Sequence, residues 1–219
     1  MKKIFTILFS TFFLSTQLLF SQTWTPVSPG FFPTNASGQI NGLSRVSQVK
    51  FHPTLSTKMY AVSSRGGLFI TTNSGTTWTL APGCDLLPNM RLNSVCIDYT
   101  NDQTLYLGSG DANYYYTGSG IYKSTNGGAT FTYIGLTGRV IVEILMNPAN
   151  NLMLFAATDA GIYKSIDGGT NWTLKTANTL ACRDLVFKAN TNTQVLFAST
   201  YSELYRSTDM GETWTQITS

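Results

Sequence analysis

The sequence predicts an all-β protein assembled from four consecutive units of four short strands, and three observations carry that prediction. One phrase recurs four times: Gly67–Trp78 reads GLFITTNSGTTW, Gly120–Phe131 GIYKSTNGGATF, Gly161–Trp172 GIYKSIDGGTNW and Glu203–Trp214 ELYRSTDMGETW. Recurrence at a period near 40 residues marks a repeat architecture, in which each unit buries its apolar faces only against its neighbours. Each copy also follows two further strand signals. Finally, only 11% of residues are charged, glycines number 19, and no run after residue 21 has the 3.6-residue period of an amphipathic helix.

Residues 1–21 read as a cleaved secretory signal peptide, because Lys2-Lys3 leads into the apolar run Ile4–Phe20 and Ser21 closes it. The run falls short of the roughly 20 apolar residues of a membrane span, and Ser10, Thr11, Ser15, Thr16 and Gln17 dilute it, so no stable membrane anchor is expected after cleavage. Without Lys2 and Lys3, 12 basic residues face 11 acidic ones, and this near-neutral balance argues against nucleic acid as a partner. Residues 22–45 are expected to supply an N-terminal strand and a lead-in loop. Thr23–Val27 resembles the last strand of a unit such as Thr77–Pro82, yet nothing before it makes the rest of that unit. A ring larger than four units is therefore expected, with this chain as its N-terminal part; a complete four-bladed propeller is the alternative.

Residues 46–219 hold the four units, at about 46–83, 92–136, 140–176 and 182–219. In the first, Val46–Phe51 and Lys58–Val62 flank a His52-Pro53 turn; in the third, Val142–Met146 and Leu152–Ala156 flank Asn147-Pro148. Asp98-Tyr99 and Lys188-Ala189 stand at that turn in the second and fourth units. Four strands per unit is the make-up of a β-propeller blade. The aromatics closing the phrases, Trp78, Phe131, Trp172 and Trp214, lie 53, 41 and 42 residues apart, so blade 2 carries an insertion of about a dozen residues.

The phrase itself reads as a hairpin. An aromatic and β-branched strand leads to Asn73, Asn126, Asp167 or Asp209, whose side-chain oxygen can bond its own turn. Gly75, Gly128, Gly169 and Gly211 then supply a residue free to take positive φ. The aromatic on the returning strand can cover the turn. This pattern resembles the Asp box of the bacterial neuraminidase repeat, found in sialidases, xyloglucanase-type glycoside hydrolases and sortilin-like receptors. The resemblance spans almost the whole mature chain and implies a structural hairpin between the outer strands of a blade, remote from the functional face.

Three cysteines remain after export: Cys84, Cys96 and Cys182. A Cys84–Cys96 disulfide joining adjacent blades is one expectation, two free thiols the other. One histidine, His52, and scattered cysteines cannot furnish a zinc site or a nucleophile triad, so neither metal nor cofactor is expected.

Function is expected on the face opposite the Asp boxes, where the turns between second and third strands gather Arg65, Asp111, Asn113, Tyr114, Tyr115, Tyr116, Asp159, Tyr201 and Glu203. Aromatic rings beside carboxylates and amides suit a sugar or a protein surface, and a polysaccharide or extracellular protein is the expected partner. Local packing of the tyrosines within the inserted loop is the competing reading. For catalysis the weak candidates are Asp111, Asp159 and Glu203, since glycoside hydrolysis needs two carboxyl groups about 5–10 Å apart. The xyloglucanase resemblance implies an acid just before the Gly-Gly of the first repeat, where this chain has Ser64-Arg65-Gly66-Gly67; the sialidase resemblance implies a Phe-Arg-Ile-Pro phrase, which is absent. A non-catalytic secreted propeller is therefore the first expectation and a glycoside hydrolase the alternative.

Overall fold

The computed structural model describes residues 45–111, 116–188 and 194–218; the leader, the Trp24 segment and the loop residues Asn113, Tyr114 and Tyr115 lie outside them. Sixteen strands and one 3₁₀ turn, Pro82–Leu86, make up the described residues. Blade 1 is β1 (Val46–Phe51), β2 (Met59–Ser63), β3 (Gly67–Thr71) and β4 (Thr79–Leu80), and blade 2 is β5 (Leu92–Ile97), β6 (Leu105–Ser109), β7 (Ile121–Ser124) and β8 (Thr132–Gly135). Blade 3 is β9 (Ile141–Asn147), β10 (Asn150–Thr158), β11 (Gly161–Ser165) and β12 (Thr173–Leu174), and blade 4 is β13 (Asp184–Phe187), β14 (Leu196–Ser199), β15 (Leu204–Ser207) and β16 (Thr215–Ile217). Every sheet is an antiparallel meander in chain order.

The apolar core lies between blades, in three clusters. Tyr60, Val62 and Leu68 of blade 1 meet Val95, Leu105 and Leu107 of blade 2. Cys96, Tyr106 and Ile121 meet Ile144, Met146 and Leu154. Phe155, Ala157 and Ile162 meet Leu185, Leu196 and Ala198. The alternation of each strand thus sends one set of side chains to the preceding blade and the other to the next. Cys84 belongs to the first cluster and Cys96 to the second, on opposite faces of blade 2. The expected Cys84–Cys96 bridge is accordingly not formed: all three cysteines are buried free thiols, and desolvation pushes Cys84 and Cys96 up to about 12.

The repeated turn has one hydrogen-bond design in all four blades. In blade 3 the Ser165 hydroxyl donates to Asp167 Oδ1 (2.8 Å) and accepts the Gly169 N–H (2.9 Å), while Asp167 Oδ1 accepts the Asn171 N–H (2.9 Å). Thr71, Ser124 and Ser207 repeat the hydroxyl bonds to Asn73, Asn126 and Asp209 and to Gly75, Gly128 and Gly211. Two successive residues take positive φ, Gly168 (70°) and Gly169 (90°) in blade 3; Ser74 (58°) and Met210 (56°) hold the first of these positions in blades 1 and 4. The closing aromatics Phe131, Trp172 and Trp214 pack into the cluster shared with the preceding blade.

Candidate binding face

The registers Val46↔Ser63, Leu92↔Ser109, Ile141↔Thr158 and Asp184↔Ser199 put the start of each innermost strand at the same end as its β2–β3-type turn. That end, opposite the box turns, carries a loop rim and a polar hollow.

On the rim, Asp111 is buried and paired with Arg45 (Nη2–Oδ1 2.6 Å), a link between the blade 1 lead-in and the blade 2 loop, which is closed by an Asp111↔Tyr116 bridge. Asp159 is exposed, and its Oδ1 accepts the Val140 N–H at 3.1 Å. Glu203 accepts the Tyr205 hydroxyl (2.6 Å) and the Gln216 amide (3.2 Å), and the first of these bonds raises the Tyr205 pKa. The three candidate carboxylates therefore stand in three blades, each engaged by its own neighbours. Arg65 is exposed at the β2–β3 turn. Tyr116 and Tyr201 are exposed rings, each with a guanidinium on its face: Arg91 lies 4.2 Å from the Tyr116 centroid and Arg183 3.5 Å from that of Tyr201. Such stacks hold a ring in place without consuming its outer face.

Inside the rim is a hollow of about 280 Å³ lined by Ser47, Gln48, Asn93, Glu143, Arg183 and Asp184, residues of the starts of all four inner strands or next to them. Gln48, Ser94, Glu143 and Asp184 occupy one level, since they pair with Val62, Gly108, Ala157 and Ser199 at matching places on the second strands. Glu143 is buried; Lys50 Nζ donates to its Oε1 at 2.9 Å and Gln48 Nε2 to its Oε2. Desolvation is the largest influence on Glu143 and raises its pKa, Lys50 and Gln48 oppose the rise, and Asp184 adds to it. None of this set figured in the sequence expectation. The signal available was Glu143 itself, a lone carboxylate inside the apolar strand Val142–Met146.

Comparison with solved structures places the architecture. An ancestral GH74 enzyme superposes with a TM-score of 0.69 at 21% identity, over 90% of this chain and 25% of its own. The GH74 xyloglucanase from Xanthomonas campestris gives 0.62 at 23% identity, over 81% of this chain and 31% of its own. YCF48 bound to D1 peptide gives 0.56 at 20% identity, over 80% and 54%. The fold is a β-propeller. The propeller is partial: the chain spans between a quarter and about half of these relatives' lengths, and no described blade covers the far side of blade 1 or of blade 4. The family model for sortilin and neurotensin receptor 3 (Sortilin-Vps10) matches residues 119–219, and no curated protein sequence matches the chain.

Proposed function

We propose that the chain forms part of an exported, non-catalytic propeller that binds a glycan or an extracellular protein through the loop end. The observation that carries this reading is the pair of guanidinium-backed tyrosines, Tyr116 and Tyr201, on the rim of a polar hollow. Rings already fixed in position lose little entropy on contact with a pyranose face or an apolar side chain, and on the lining of the hollow the Ser47 hydroxyl and the Asn93 Oδ1 offer hydrogen bonds to ligand hydroxyls. Tyr114 and Tyr115 adjoin Tyr116 in sequence. Export rests on the leader-like residues 1–21, and the sortilin-type likeness accords with an extracellular setting. The test is calorimetric titration with xyloglucan oligosaccharides and a glycan array. Tyr116→Ala and Tyr201→Ala are each expected to weaken binding about tenfold, the effect of losing one stacked ring of about 1 kcal/mol or slightly more; unchanged affinity in both variants overturns the reading.

A second reading, a glycoside hydrolase, is favoured by one feature: Glu143, its proton held more tightly by burial, shares the hollow with Asp184. Two carboxyl groups lining one hollow, one of them buried, are the equipment of glycoside cleavage, and GH74 enzymes are among the structural neighbours. Release of reducing sugar that Glu143→Gln abolishes while binding persists would select this reading over the first.

A further inference from the structure

Each inner strand belongs to its own sheet, and at the inner level a side chain of one blade bonds the backbone of the next. Gln48 Oε1 of blade 1 accepts the Val95 N–H of blade 2 at 2.8 Å, and Ser94 Oγ of blade 2 accepts the Ile144 N–H of blade 3 at 2.9 Å. The third junction breaks the pattern. The N–H at that place in blade 4, on Leu185, goes to Asp184 Oδ1 of its own strand (2.8 Å). Glu143, which holds the joining position in blade 3, instead turns back past blade 2 to Lys50 and Gln48 of blade 1, its hydrogen-bond partners among the described residues.

Both of those partners are donors. An ionised carboxylate accepts from both, whereas a proton added to either oxygen sets a donor against a donor and forces a bond to break. Gln48 cannot reverse its amide to compensate, because its Oε1 already accepts the Val95 N–H and the Ser94 hydroxyl (3.4 Å). An acceptor stands on the other side of the hollow. Asp184 lines the same cavity, and its Oδ2 has no hydrogen-bond partner among the described residues. Burial of Glu143, at 6% exposure, and the charge of Asp184 both favour the protonated form, while Lys50 favours the ionised one. The remaining titratable or charged groups around Glu143 are Arg183, which lines the hollow, and Cys96 and Tyr99, on β5 and just after it, both of which feel the Glu143 charge.

We propose that Glu143 is a proton-driven latch: ionised, it ties blade 3 to Lys50 and Gln48 of blade 1; protonated, it releases both and donates to Asp184 of blade 4. The exchange moves a tie from the blade 1 side of the hollow to the blade 4 side and frees the Gln48 amide into the cavity, whichever ligand the loop end takes.

The test is a pH titration of the full chain by nuclear magnetic resonance, with carbon-13 at the glutamate Cδ positions and nitrogen-15 in the backbone. Glu143 Cδ is expected to titrate above the ordinary glutamate value, and the amides of Gln48, Val95 and Leu185 are expected to move with the same midpoint. Lys50→Met removes a group that favours the ionised form, so the midpoint is expected to rise; Asp184→Asn removes one that opposes it, so the midpoint is expected to fall. Lys50→Gln serves as a second variant if Lys50→Met loses its amide dispersion. Glu143→Gln is expected to leave the Val95 and Leu185 amides without that transition, an effect on the pH profile that a merely structural role would not produce. An ordinary Glu143 midpoint, amides that do not follow it, a midpoint indifferent to both substitutions, or a transition that persists in Glu143→Gln would each overturn the proposal.

Discussion

Replacing Ser165 with alanine isolates what the box turn contributes. The hydroxyl is buried, donates to Asp167 Oδ1 at 2.8 Å and accepts the buried Gly169 N–H at 2.9 Å. Alanine leaves that N–H without a partner in a position water does not reach, at a cost of about 1–3 kcal/mol. The bond to Asp167 adds little, because the carboxylate is open to solvent and hydrates readily once released. The expected loss is therefore about 2 kcal/mol, read as a fall in urea midpoint with unchanged m-value. Asp167→Asn is the matched control. Asn73 and Asn126 hold the same geometry in blades 1 and 2, each accepting a turn N–H at 2.9 Å and passing its amide to Thr77 or Thr130. At neutral pH this control is expected to keep the wild-type urea midpoint, the exposed Asn171 amide turning to accept where it now donates to Asp167 Oδ2. Equal losses in the two variants, or a Ser165→Ala loss under about 0.5 kcal/mol, would refute the assignment of the energy to the buried N–H.

Two more outcomes follow from the same turns. Hydrogen bonds hold the Asp167 and Asp209 carboxyls down to about 2, so their contribution is present above the ordinary carboxylate value and is lost as pH falls from about 4 towards 2. Urea midpoints of the Asp167→Asn/Asp209→Asn double variant should therefore decline less than wild type across that window, and a parallel decline would count against it. Ser74 takes φ 58° where blades 2 and 3 have glycine, so Ser74→Gly should gain about 1 kcal/mol and raise the Tm by about 2–4 °C; a lower Tm would show that the serine is not strained.

The strands and box turns were legible because their signals are local: four aligned phrases name each turn hydroxyl, glycine and closing aromatic by spacing alone. The inner level was not. Gln48, Ser94, Glu143 and Asp184 share no residue type, and only the register of each inner strand on its neighbour brings them to one height. Asp111 stood out as a loop acid, yet its partner Arg45 lies 66 residues earlier in a segment with no strand pattern. The cysteines failed for a related reason. Cys84 and Cys96 are close in sequence, but Cys84 sits in the Pro82–Leu86 turn over one core while its place on β5 sends Cys96 into the other, and nothing in their spacing records which side each takes.

Because the apolar clusters lie between sheets, no blade owns a core, and the blades differ in how many clusters they share. Among the described residues, blades 2 and 3 each border two and blades 1 and 4 one. In a single chain, opening therefore runs inward from both flanks, and a blade at either flank is released at the cost of one cluster where a middle blade needs two. Amide hydrogens of β6, β7, β9 and β10 would then be the last to exchange with solvent and those of β1 and β16 among the first, a gradient of protection laid along a molecule whose repeats look alike in sequence.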